Sequence, residues 1–250
     1  MVSAFVGQVG GGKSFSSVRR MCSYMARGGR CVSNIRLVGW SDELGDLADD
    51  SPVLPFLDSL GWEYQKGQYK YIPFDYMVAN SQWFKEIPGG ASRDLRTLCV
   101  IDEATDLFDS LDANKLRQDS GYRELFHFLR LSRHAHIDVL FICQDIDAIN
   151  SRVRGLVGEI WKSTDMKNFV IHGFKISFPF DVFCLQRFDR RGKYELSREW
   201  VRKDVRVFGL YESEAFGGSL GIKWDGVAID LEKGKKKMGV GVCLKFNFFL

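Results

Sequence analysis

The chain has 250 residues, enough for one large core or a core with appendages, and its 45% apolar and 27% charged content is that of an ordinary soluble globular protein. A net charge of +3 is too small to argue for nucleic acid by itself, and no stretch reaches the ~18 apolar residues that a bilayer span needs. The six cysteines form no C-x-x-C pair, which argues against a metal site and fits a reduced, cytoplasmic protein.

The chain opens on an apolar run, Val2 to Val6, that reads as a short buried strand, and no signal peptide is expected ahead of it. It runs into Gly7-Gln8-Val9-Gly10-Gly11-Gly12-Lys13-Ser14, which fits G-x-x-x-x-G-K-[ST]. Phe15 to Ala26 follows, with Val18, Met21, Cys22 and Met25 at helical spacing. Strand, glycine loop and helix are the context the motif requires. Consecutive loop N–H groups turn inward on a phosphate chain, and the helix adds the positive end of its dipole. The nucleotide-binding set is therefore Gly7 through Phe15, with Lys13 on the β- and γ-phosphates and the Ser14 hydroxyl on Mg²⁺.

Gly28-Gly29 closes the helix, and Arg30 to Ile35 reads as a second strand. Residues 41 to 96 are the least regular part, with four of the five prolines and eight large aromatics between Trp62 and Phe84. An inserted subdomain fits this better than a linker. Its aromatics could stack on bases, but core is the commoner use of such residues.

Leu98-Cys99-Val100-Ile101 running into Asp102-Glu103 reads as a central parallel strand ending at the sheet edge where ligands of open α/β folds sit. Asp102 is expected in the Mg²⁺ shell, and Glu103 is expected to polarise the water that attacks the γ-phosphate. A helix over Gly121 to His134 leads to another buried strand, Ile137 to Cys143. Gln144, at the end of that strand, either contacts the γ-phosphate and its water or satisfies loop backbone. His134 and His136 stand two apart with no third ligand, a poor zinc pattern. Arg152 and Arg154 lie in a helix-turn region and are either exposed cations or a source of the arginine that one ATPase subunit lends its neighbour. Ile160 to Phe188 reads as two or three strands extending the sheet with a break at Pro179, and Phe188 to Trp200 as an exposed hairpin or loop. The end, 233–250, is a basic then apolar tail.

These pieces resemble the zonula occludens toxin-like (Zot) family, the assembly ATPases of filamentous phages. The resemblance lies in the Gly7–Ser14 loop, Cys31 to Ile35 with Asn34, Val100-Ile101-Asp102-Glu103-Ala104, the block Phe128 to Gln144 with its Ser-Arg-His, Asp138, apolar strand and Gln, and Val207 to Phe216. It implies a P-loop NTPase with a RecA-like three-layer fold, spanning 1–232 with the insertion at about 41–96, that hydrolyses ATP with Mg²⁺. It implies a hexameric ring at the cytoplasmic face of the host bacterial inner membrane, acting with other phage assembly proteins on phage DNA, single-stranded in the filamentous case. In such a ring Arg154 or Arg133 would serve a neighbour's site. The resemblance also implies a membrane span and outer domain beyond the ATPase domain. A soluble packaging ATPase of a tailless, membrane-containing phage is the variant reading, and a small P-loop kinase or a non-hydrolysing nucleotide-binding subunit of a membrane complex are the other classes left open.

Overall fold

The computed structural model describes residues 1–109, 120–171, 174–176 and 181–212. It divides into Met1–Glu212 and Ser213–Leu250; the second unit, which holds the expected domain end at 232, the tail at 233–250 and the last part of Val207–Phe216, lies outside the described residues, as does Pro179.

The organising element is one eight-stranded sheet. Its parallel part is built from β1 (Val2–Val6), β2 (Arg30–Ser33), β5 (Tyr69–Tyr71), β6 (Thr97–Ile101), β7 (Ile137–Cys143) and β8 (Glu159–Asp165). An antiparallel hairpin, β11 (Val182–Asp189) and β12 (Glu195–Arg202), extends it, giving the order β12-β11-β8-β1-β7-β6-β2-β5. The central strands are short runs of Val, Ile, Leu, Phe and Cys because both of their faces are covered. Alternate residues serve opposite faces: Leu140 and Ile142 of β7 join one buried cluster, and Val139, Phe141 and Cys143 join the other. Helix α1 (Lys13–Met25) lays Phe15, Val18, Met21, Cys22 and Met25 into the first cluster. On the second face lie α4 (Ala104–Leu107), the helix Ser120–Leu131, here α5, and the short helix Ser151–Arg154, here α6. This is a three-layer α/β sandwich. Cys99 and Cys143 are buried within it as small hydrophobes, and burial pushes each thiol up to about 12.

The helices end for local reasons. In α1 the Gly28 N–H bonds the Met25 carbonyl and the Gly29 N–H bonds the Tyr24 carbonyl, with Gly28 at φ +79°. Helix α5 stops at Leu131, three residues short of its expected end, as the Ser132 hydroxyl donates to the Leu129 carbonyl and the Ile137 N–H bonds the Ser132 carbonyl.

The irregular stretch 41–96 contributes to the sheet and to both clusters. It holds a small hairpin of β3 (Trp40–Ser41) and β4 (Asp46–Leu47), α2 (Val53–Ser59), α3 (Phe74–Ala79) and the edge strand β5. Phe56, Leu57 and Tyr69 enter the first cluster, and Met77, Trp83 and Phe84 the second. Its large aromatics are thus chiefly core. A further two-stranded ribbon, β9 (Phe169–Ile171) and β10 (Phe174–Ile176), lies outside the main sheet. The hairpin read at Phe188–Trp200 is present, and β12 is exposed over nearly its whole length. Among the described residues no helix is long and apolar enough to cross a membrane.

Candidate nucleotide site

Because β1, β6 and β7 are parallel, their carboxyl ends share one edge of the sheet, and the residues that follow them meet there. β7 lies between β1 and β6, so Gln144 falls between the glycine loop and Asp102-Glu103. The Gly7 N–H bonds the Gln144 carbonyl at 3.3 Å, tying the loop to the end of β7.

The loop can only be built from glycine at two points. Gly7 sits at φ +147°, and a Cβ there would lie 2.4 Å from the Ser163 carbonyl of β8. Gly12 sits at φ +86°, and its Cβ would lie 2.5 Å from the Phe183 ring of β11. The Ser163 hydroxyl also donates to the Gly11 carbonyl, so β8 and β11 form the wall on which the loop rests. Gly12 is the N-cap residue of α1 and supplies no side chain to it, and the first turn carries no acid. The opening N–H groups of that helix are therefore left to an anion.

Lys13, first in the helix, donates from its ammonium to the carbonyls of Gly7 at 2.8 Å and Gln8 at 3.0 Å. Burial lowers its pKa, partly offset by the carboxylates of Asp102 and Glu103. The Ser14 hydroxyl donates to Asp102 Oδ2 at 3.3 Å, joining residues 88 positions apart. Phe15 points the other way: its ring is 1% exposed and packs on Phe208 and Phe183 at centroid distances of 4.6 and 5.2 Å. Only its backbone is left to face a nucleotide. Gln8, Val9 and Gly10 form the exposed apex.

Asp102 is positioned by Asn34, just past the end of β2. The Asn34 amide donates to the Asp102 carbonyl at 2.9 Å, and its oxygen accepts from the Asp102 N–H at 2.7 Å. In the sequence Asn34 stood out only as part of the family resemblance, without this role. Glu103 takes a left-handed conformation, φ +52° and ψ +43°, and its N–H bonds Asp102 Oδ1 at 2.9 Å. A non-glycine residue held there is strained, of order 1–3 kcal/mol, and such strain gathers at functional sites. Burial raises the Glu103 pKa, Asp102 and Asp106 raise it further, and Lys13 opposes them.

A magnesium ion fits this donor set. The Ser14 hydroxyl and the Asp102 carboxylate are hard oxygen donors already within hydrogen-bond distance, and Mg²⁺ takes one or two protein oxygens with the rest from phosphates and water. A triphosphate fits the glycine cradle, the bare helix start and Lys13.

Of the two expected arginines, Arg154 is held by a local carboxylate and Arg133 is not brought to this edge. Arg154, at the end of α6, donates to the Asp147 carbonyl at 3.1 Å and to its carboxylate at 2.6 Å. Arg133 precedes β7 and lies at the opposite end of the sheet.

The Zonular occludens toxin (Zot) family model matches residues 79–218, more than half of the 250-residue chain. This chain belongs to the Zot family. The match contains Asp102, Glu103, Gln144, Arg133 and Arg154 but not the glycine loop, which stands on its own geometry. The parallel core sheet, the three layers and the glycine loop between β1 and α1 are features of the P-loop fold that the resemblance implied. Among solved structures, the N-terminal domain of zonular occludens toxin from Neisseria meningitidis is similar at TM-score 0.48 and 14% identity, covering 84% of this chain and 98% of that one. The genome-packaging NTPase B204 of Sulfolobus turreted icosahedral virus 2, solved with ATP-γ-S, is similar at TM-score 0.44 and 13% identity, covering 82% and 98%. The DNA-packaging ATPase B204 of Sulfolobus turreted icosahedral virus is similar at TM-score 0.43 and 12% identity, covering 81% and 97%. At these scores and identities none of the three bears on activity. Comparison with curated proteins gave no match.

Proposed function

We propose that this Zot-family chain is an ATPase whose hydrolysis of ATP drives phage DNA, in export and assembly or in packaging. The observation that carries the reading is the convergence of Lys13 and Ser14 on Asp102 and Glu103 at one sheet edge, under a loop that only glycine can form.

Residues Gly7 to Phe15 hold the phosphates by backbone N–H groups. Lys13 exchanges its carbonyl partners for the β- and γ-phosphates. Ser14 and Asp102 hold Mg²⁺, which, when bound, neutralises charge developing on the phosphates. Glu103 takes the proton of the attacking water, for which a raised pKa suits it. Gln144 orients that water. Arg154 serves a neighbouring subunit, with Arg133 as the alternative, in a ring that we take as a hexamer. The resemblance supports a place at the cytoplasmic face of the host inner membrane, with other phage assembly proteins and single-stranded phage DNA as partners. A small P-loop kinase, whose acceptor pocket would lie within 41–96, is the alternative reading.

Phosphate release by wild type, Lys13→Ala, Arg154→Ala and a mixture of the two variants tests this. Lys13→Ala should lose about 10²–10³ in rate, as for removal of one preorganised donor, and also bind nucleotide weakly. Arg154→Ala should lose about 10³–10⁵ with binding intact, and the mixture should recover activity, because Lys13→Ala subunits lend Arg154 to intact sites. Normal turnover in Lys13→Ala would remove the assignment. Phosphate transfer to a small molecule would return the kinase.

A further inference from the structure

The sheet edge opposite the glycine loop carries a second constellation, apart from the nucleotide site of the same subunit. β6 and β7 begin there, and the turns leading into them wall a cavity of about 590 Å³ lined by Arg93, Arg96, Arg133, His134 and His136. A smaller cavity of about 220 Å³ is lined by Leu95 and Thr97, on either side of Arg96 in the chain, together with Arg30 and Lys66. The Arg96 charge is answered by Asp138, which accepts from its guanidinium at 2.6 and 2.8 Å. Arg93 and Arg133 are exposed and, among the described residues, make no ion pair or side-chain hydrogen bond.

The wall is built rather than incidental. The Gly90 N–H donates to the Ala135 carbonyl at 2.9 Å, and the Thr97 N–H donates to the His136 carbonyl at 3.1 Å. A Cβ on Gly90 would lie 2.6 Å from the His136 carbonyl, so only glycine lets the two turns meet. His136 has φ +53°; it and Glu103 are the non-glycine residues of positive φ among the described residues. One strained residue stands in each edge's site, and strain of this kind persists where the surroundings over-determine it.

The geometry points to a phosphodiester-binding surface: one strand of nucleic acid, with phosphates on Arg93 and Arg133 and its path continuing toward Arg30 and Lys66. Planar guanidinium groups without partners match phosphate oxygens in bidentate fashion. Two adjoining basic cavities suit an extended polyanion better than a single anion. Both are concave, and a flat lipid surface cannot enter them. The inference rests on the DNA-coupled reading above and gives that DNA a place, away from the nucleotide.

The test is binding of a fluorescent single-stranded oligonucleotide to the whole chain, without nucleotide, over a series of salt concentrations. Arg93→Ala/Arg133→Ala should weaken binding about tenfold or more at low salt and make the slope of log affinity against log salt shallower by about one per arginine. Arg133→Lys should keep the slope, since the charge remains. ATP affinity should not change in either. Unchanged oligonucleotide affinity and slope in the double variant, or no oligonucleotide binding by wild type, overturns the inference. So does loss of binding to phosphatidylglycerol vesicles while oligonucleotide binding stays intact. Hydrolysis plays no part in the measurement, so failure here leaves the ATPase assignment standing, and failure of that assignment leaves this measurement valid.

Discussion

The two edges of the central sheet solve different problems with different materials. At the carboxyl edge, the groups open to a phosphate are mostly backbone: glycine N–H groups, the bare start of α1 and a single lysine, with carboxylates and a hydroxyl close by. At the amino edge the means are side chains, chiefly arginines on turns, with Asp138 balancing one of them. A backbone cradle is rigid and accepts one shape, whereas guanidinium groups on exposed turns track a polymer whose position varies. The same strands, β6 and β7, begin at one edge and end at the other. Arg133 and Gln144, before and after β7, thereby lie at opposite edges of the sheet.

The sharpest way to separate the edges is to injure each and read the other. Glu103→Gln should reduce hydrolysis by about 10²–10⁴ while leaving ATP, Mg²⁺ and oligonucleotide binding unchanged, because an amide cannot take the proton from water. Single-turnover phosphate release against nucleotide affinity measures this. Loss of ATP binding in Glu103→Gln, alongside full magnesium dependence in Asp102→Asn, would mean that the roles of the two carboxylates are misassigned.

Asn34→Ala should be milder. It removes both hydrogen bonds that bracket the Asp102 backbone, and loss of such an outer partner costs about 10–100-fold in metal affinity or activity. The readout is the Mg²⁺ concentration for half-maximal hydrolysis, which should rise while saturating magnesium restores most of the rate. A rate loss that magnesium cannot relieve would point to a general folding defect instead.

The smallest effect on turnover, though not on stability, belongs to Asp138→Asn. Burial, the largest single influence, raises the Asp138 pKa, but the Arg96 guanidinium, the amino-terminal ammonium and the Tyr24 hydroxyl together outweigh it and hold the carboxyl below the usual carboxylate range. A group depressed in this way contributes stability that is present above the unfolded value, about 3.9, and lost as pH falls through the lower folded value. Losing charge-assisted hydrogen bonds costs about 2 kcal/mol. Urea unfolding at neutral pH should show that loss in Asp138→Asn, the gap to wild type should close below pH ~4, and activity per folded molecule should be retained. A gap that stays constant into acid would remove the ion pair as its source.

The sequence alone determined the core strands to within a residue or two, the first helix, and that Lys13, Ser14, Asp102 and Glu103 would lie together. Those are local matters: glycines permit a phosphate loop, and four apolar residues ahead of Asp-Glu demand a covered strand. Asn34 was visible in the family pattern without its role, since a hydrogen bond to a residue 68 positions away has no local signature. Tertiary structure decided the rest. Three-residue β5 is too short for any period to show, so only pairing with β2 makes it a strand. Phe15 stands beside Ser14 in sequence, yet the helix turns its ring into the core. Glu103 acquired its left-handed backbone from the turn out of β6 into α4, and Arg133 its edge from the direction in which β7 runs. Strand order is a global property, set by which covered faces can pack together, and it alone placed Gln144 between the glycine loop and Asp102.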